Sequence, residues 1–283
     1  MDAPGAPTLT EETHPDSGAP GVEVYFPSLD SDAATITVYR IADGVREPIR
    51  GGERAPVSGD FVGHDWEVPF GVEAVYVGEI FDVGGGAIAG AQATITVESD
   101  DVWIQDQVDP SLAFPLHLTP EGREGLLEGS AGRIVRQRRT AKQFVFGKHR
   151  PFMQNFGLDG ATAVPFETHT ESESSMKTML AILEVSPLTV RTPPVFASLP
   201  RVMSVDVPAP EFSPVQQSLG GYRHVWVLRF DEVEPVARAI IRPLVTWADW
   251  EEAFPADEFT WDDVELAYSA GTWTDAVRTP PNA

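Results

Sequence analysis

The chain has 283 residues, 42% of them hydrophobic, and no cysteine. It is long enough for two cored domains, and disulfide staples, thiolate metal sites and a cysteine nucleophile are excluded. Its 43 acidic and 20 basic residues give a formal charge of −23, which repels nucleic acid and anionic membrane surfaces. No run reaches the ~18 uninterrupted apolar residues of a membrane helix.

Residues 1–20 (MDAPGAPTLTEETHPDSGAP) carry no basic or apolar leader and read as a flexible arm rich in Pro, Gly and acid. Residues 21–99 read as an all-β domain. ATITVYRI (34–41) sets Ile36 and Val38 against Thr35, Thr37 and Tyr39, the period of two expected of a half-buried strand. DFVGHDWEV (60–68), VEAVYVGEIFD (72–82) and AQATITVES (91–99) continue the pattern. Asp43-Gly44, Gly51-Gly52, Pro69-Phe70-Gly71 and Gly84-Gly85-Gly86 separate these runs as turns. Short strands at this spacing predict a sandwich of two sheets.

A larger β-rich domain is predicted over residues 100–245. It opens with a short buried strand, Val102-Trp103-Ile104, and a turn at Asp109-Pro110-Ser111. Phe114, Leu116 and Leu118 alternate in the strand that follows. RIVRQRRTAKQFVFGKHR (133–150) then holds seven of the twenty Lys and Arg and no acid. One reading is a solvated strand and loop. The other is an edge, bearing Arg133, Arg136, Arg138 and Arg139, that docks on an acidic surface of a neighbouring subunit. Glu171 to Leu183 predicts the one helix, with acid near its start and Met176, Met179, Leu180 and Leu183 on one face. A strand is expected over 187–191, ended by Pro193-Pro194.

The tail, 246–283, repeats Thr-Trp-x-Asp at Thr246, Thr260 and Thr272, which resembles a helix-capping box. Three short helices are expected, none stable alone. Trp247, Trp250, Trp261 and Trp273 are four of the chain's seven tryptophans, and residues 246–275 carry nine acids and no base. Aromatic anchors on an acidic ribbon suit docking, either on the same chain or on a neighbour.

Motifs for chemistry are sparse. The six histidines show no ligand spacing, and Gly-x-Ser-x-Gly and a phosphate loop ending in Gly-Lys-Ser/Thr are absent. Asp100, Asp101, Asp106 and Asp109 are dense enough to raise Ca²⁺ binding, yet lack the EF-hand order. No enzyme, metal or cofactor is expected.

Four segments carry a resemblance. DWEVPFGVEAVYVGEIFDVGGGAIAGAQATITV resembles the later strands of fibronectin type III domains. It is similar, more narrowly, to the copy at the front of minor tail proteins of phages of actinobacteria, on Asp65, Trp66, Pro69, Gly71, Tyr76, Asp82 and Gly84. DDVWIQDQVDPSLAFPLHL resembles the entry into the main domain of those proteins, and THTESESSMKTMLAILEVSPLTVRTPPVF resembles the helix and strand of distal tail proteins. VWVLRFDEVEPV (225–236) resembles the late strand of that domain, and a strand there is implied only by this resemblance. The resemblance implies a mainly β fold: a fibronectin III-like sandwich, a larger distal-tail-like domain with one packed helix, and a short helical tail. It also implies a structural virion protein at the distal end of the tail, in a ring with copies of itself. Its other partners would be the tail tube, hub, tape-measure and receptor-binding proteins. A carbohydrate-binding adhesin touching the host cell wall is the alternative.

Overall fold

The computed structural model describes residues 6–118, 125–127, 130–144, 146, 149–215 and 223–237. Contacts divide the chain into residues 1–239 and 240–283. The fold is mainly β with one helix.

Eight strands come first: β1 (Thr8–Thr13), β2 (Pro20–Phe26), β3 (Ala33–Ala42), β4 (Val45–Pro48), β5 (Ala55–Pro56), β6 (Phe61–Asp65), β7 (Glu73–Asp82) and β8 (Ala87–Thr96). One sheet runs β1-β2-β6; the other runs β4-β3-β7-β8, with β5 also paired to β3. Every pairing is antiparallel. Alternation selects the core: Val22, Val24 and Phe26 of β2 meet Ile36 and Val38 of β3 and Ala74, Tyr76 and Ile80 of β7, all essentially buried.

Two readings of the sequence change here. Thr8–Thr13, placed by composition in a flexible arm, is strand β1, because its backbone pairs with β2 from Thr8↔Tyr25 to Thr13↔Pro20. The strand expected over 60–68 stops at Asp65, whose Oδ1 accepts the backbone N–H of Glu67 and turns the chain.

The second set of strands is β9 (Val102–Asp106), β10 (Ala113–Leu116), β11 (Gly125–Leu126), β12 (Val135–Gln143), β13 (Phe152–Thr162), β14 (Val164–Thr170), β15 (Leu188–Arg191), β16 (Val202–Asp206), β17 (Glu211–Pro214) and β18 (His224–Glu232). The main sheet runs β10-β9-β15-β16-β18-β14-β11, with β17 on β18, while β12 and β13 form a separate pair. Helix α1 (Glu173–Leu183) starts where the Ser172 side chain accepts the N–H of Ser175. It buries Met179 and Ile182, with Met176 and Leu183 partly covered; Leu180, expected on that face, is 36% exposed.

The two cores share strands. Val102 and Ile104 of β9 belong to the second core, whereas Trp103 between them belongs to the sandwich core. β10 repeats this, with Phe114 and Leu116 in one core and Ala113 in the other. In β15 all four residues are buried: Leu188 and Val190 enter the second core, and Thr189 and Arg191 take the opposite face. A strand buried on both faces lies between layers rather than at a surface.

Candidate functional site

Two regions stand out from this frame: a charged seam where the sandwich meets the second sheet, and the β12–β13 hairpin.

The seam begins at Arg40, near the end of β3, whose Nη1 donates to both oxygens of Asp65 at 2.9 and 2.8 Å. Tyr76 Oη donates to Asp65 Oδ2 at 2.8 Å. Burial by itself would raise the Asp65 carboxyl; the Arg40 charge and these hydrogen bonds outweigh it and hold the group below the usual carboxylate range. Burial, then the same carboxylate, pushes the Tyr76 phenol well up.

Arg191 is the other cation of the seam and is completely buried. Its Nη1 donates to the Pro20 carbonyl at 2.7 Å, and its guanidinium lies 4.6 Å from the Phe70 ring centroid. Nε and Nη2 have no hydrogen-bond partner. Burial pushes the guanidinium down to about 9, with Asp65 and Glu67 opposing, so it stays charged at neutral pH. Further bonds cross the same seam: Gln105 Nε2 to the Trp66 carbonyl at 2.8 Å, and Ser17 Oγ to the Pro110 carbonyl at 2.8 Å. A cleft of about 260 Å³ beside it is lined, among the described residues, by Arg40, Asp43, Glu47 and Arg201 with small and apolar neighbours. The seam joins the two layers: Arg40 and Asp65 bond each other, and Arg191 bonds backbone through Nη1 alone.

The hairpin is different in kind. β12 and β13 pair with each other, and the root is tied to β18 where Ala161 N–H donates to Glu232 Oε2 and Ala163 N–H to Asp231 Oδ1, both at 2.7 Å. From Phe152 to Leu158 every residue of β13 is exposed. Six of the thirteen exposed large apolar side chains among the described residues lie here: Phe144, Phe146, Phe152, Met153, Phe156 and Leu158. The register sets Lys142 opposite Met153, Arg138 opposite Leu158 and Gln143 opposite Phe152, so one face mixes basic with apolar side chains and the other bears Phe152 and Phe156. Gly157, at φ +102°, occupies the bulge between the Arg138↔Leu158 and Thr140↔Asn155 pairs.

The arginines singled out from the sequence fall on or beside this ribbon. Arg133, Arg136, Arg138 and Arg139 are exposed. Arg136 reaches Glu232 at 3.2 Å and Arg139 reaches Asp159 at 2.8 Å. Composition found the basic strand and not β13, whose exposure from Phe152 to Leu158 only the tertiary structure shows. Trp247, Trp250, Trp261 and Trp273 lie outside the described residues. The Asp100–Asp109 acids are not gathered around one point: Asp101 bonds His117 at 2.9 Å, Asp106 accepts from Val108 N–H, and Asp109 accepts from Ser111. Among the described residues no helix is long and apolar enough to cross a membrane.

Neither a family model nor a curated protein matches the chain.

Proposed function

We propose that this chain is a structural subunit of the tail tip of a long-tailed phage of actinobacteria, which assembles with copies of itself and with neighbouring tail proteins. The observation that carries the reading is the β12–β13 ribbon, which bears Phe152 and Phe156 on one face and Arg138, Lys142, Met153 and Leu158 on the other, all exposed. A two-stranded hairpin is marginal in water without a third layer, and six bare apolar side chains at one place exceed ordinary surface scatter. A basic, aromatic arm on a chain of net charge −23 is complementary to a second copy of that chain. The three-strand and five-strand sheets, with Tyr76 bonded to Asp65 at the seam, support the fibronectin III-like resemblance of the first part. Light scattering of the purified full chain tests the reading. A discrete oligomer that dissociates as salt rises, or when Phe152 and Phe156 become serine, supports it. A monomer that neither self-associates nor binds tail-tube or hub proteins refutes it.

A further inference from the structure

Outside the seam and the hairpin, one cluster is assembled by strand register alone. Glu12 of β1, Glu23 of β2 and His64 of β6 bring one carboxylate oxygen each and a ring nitrogen within 4.8 Å of one another, all three half-buried. Glu23 stands directly across from His64, and Glu12 faces Gly21, two residues along β2 on the same side. Val22 and Val24 point into the core, so this trio occupies the outer face.

The imidazole is held in place from behind. A Cβ on Gly21 would meet Trp66 Cε3 at 2.3 Å, so the bare glycine lets the indole lie against β2. His64 stacks on that indole, ring centroids 6.0 Å apart and planes 4° from parallel. His64 Nδ1 lies 2.6 Å from Glu12 Oε1. Two carboxylates this close repel, and a divalent cation turns the repulsion into attraction. Two carboxylates with one imidazole suit Zn²⁺; Ca²⁺ takes about six to eight oxygens and does not use imidazole.

We propose that Glu12, Glu23 and His64 bind one Zn²⁺ ion, with water completing a four-coordinate shell. The ion clips β1 to the two strands beside it. The lack of any His spacing in the sequence is no obstacle, because three strands rather than one helix supply the ligands.

The test uses the full chain, stripped with chelator and titrated with ZnCl₂ by calorimetry. The expected result is one equivalent bound by the wild type, with affinity reduced about tenfold or more in Glu23→Gln, Glu12→Gln and His64→Ala. Zn²⁺ also raises the wild-type melting temperature and leaves that of Glu23→Gln unchanged. Circular dichroism identifies any variant that has not folded, and the two glutamine variants keep side-chain shape, so they carry the test if His64→Ala unfolds. Zn²⁺ bound equally by the wild type and both glutamine variants overturns the proposal, as does a wild type that binds none. A variant set that loses Ca²⁺ rather than Zn²⁺ overturns the choice of metal.

Discussion

Arg191 Nη1 donates to the carbonyl of Pro20 at 2.7 Å, across 171 residues of chain. One end of that bond is the last residue of β15 in the second sheet, and the other is the first residue of β2 in the sandwich. A fully buried guanidinium is thus the bolt between the two layers, and it is a costly one, because two of its nitrogens have no partner. Arg191→Ala leaves a cavity and an unpaired Pro20 carbonyl, and should cost about 2–4 kcal/mol in urea unfolding. Arg191→Met fills the volume and removes the buried charge, and should cost much less. Equal losses in the two variants would assign the stabilisation to the charge.

Asp65 accepts from Arg40, Tyr76 and the Glu67 N–H at once. Asp65→Ala leaves the buried Arg40 with only the partly exposed Glu47, 3.2 Å from its Nη2, and should destabilise the sandwich by about 2–4 kcal/mol. Tyr76→Phe removes one donor and leaves the ion pair, at about 1–2 kcal/mol. Combining the two should cost less than the sum, since both act on one carboxylate. Additive losses in chemical denaturation would show that the three groups do not work as a unit.

Gly71 has φ +67°, and a Cβ there would lie 2.2 Å from Pro194 Cγ. Gly71→Ala pays for both a left-handed backbone and a clash across the seam, and should lower stability by about 1–3 kcal/mol. Gly44, with φ +77° and open space around it, isolates the backbone contribution. Gly44→Ala should be the milder change by thermal melting, and the reverse ranking would remove Pro194 from the explanation.

In the hairpin, Phe152→Ser with Phe156→Ser should leave the melting temperature of the body within about 2 °C, because both side chains are exposed. The same pair should lower oligomer mass and dye binding to apolar surface. Arg138→Glu should act in the same direction through charge. A large drop in stability with oligomer mass unchanged would make the ribbon part of the fold instead of a docking arm.

Deleting residues 246–283 should weaken assembly more than it destabilises residues 1–239, since aromatic anchors on an acidic ribbon suit docking. Co-sedimentation with partner tail proteins and a thermal melt measure the two effects. Intact assembly beside a melted body would place the tryptophans in the core of this chain.

Much of the fold was legible because its causes are local. Period-two alternation marked β3 and β7, Asp43-Gly44 and Gly84-Gly85-Gly86 marked their ends, and acid at its start with helical spacing marked α1, two residues early at Glu171. β1 was not legible: TLTEET is polar on both sides, and only its ladder with β2 makes it a strand. Leu180 was misplaced because helical spacing admits several adjacent stripes, and the sheet beneath decides which one is covered.

Taken alone, the order of residues determined a cysteine-free, acidic, mainly β chain with one helix, a basic strand and an aromatic acidic tail, since charge, periodicity and capping are properties of neighbours in sequence. The tertiary structure decided which faces meet. It put Arg191 inside, set Glu12 and Glu23 beside His64, and left both faces of β13 bare. Alternation says only that a side chain points to one side of a strand, and register and layer order, set by packing across the chain, determine what it finds there.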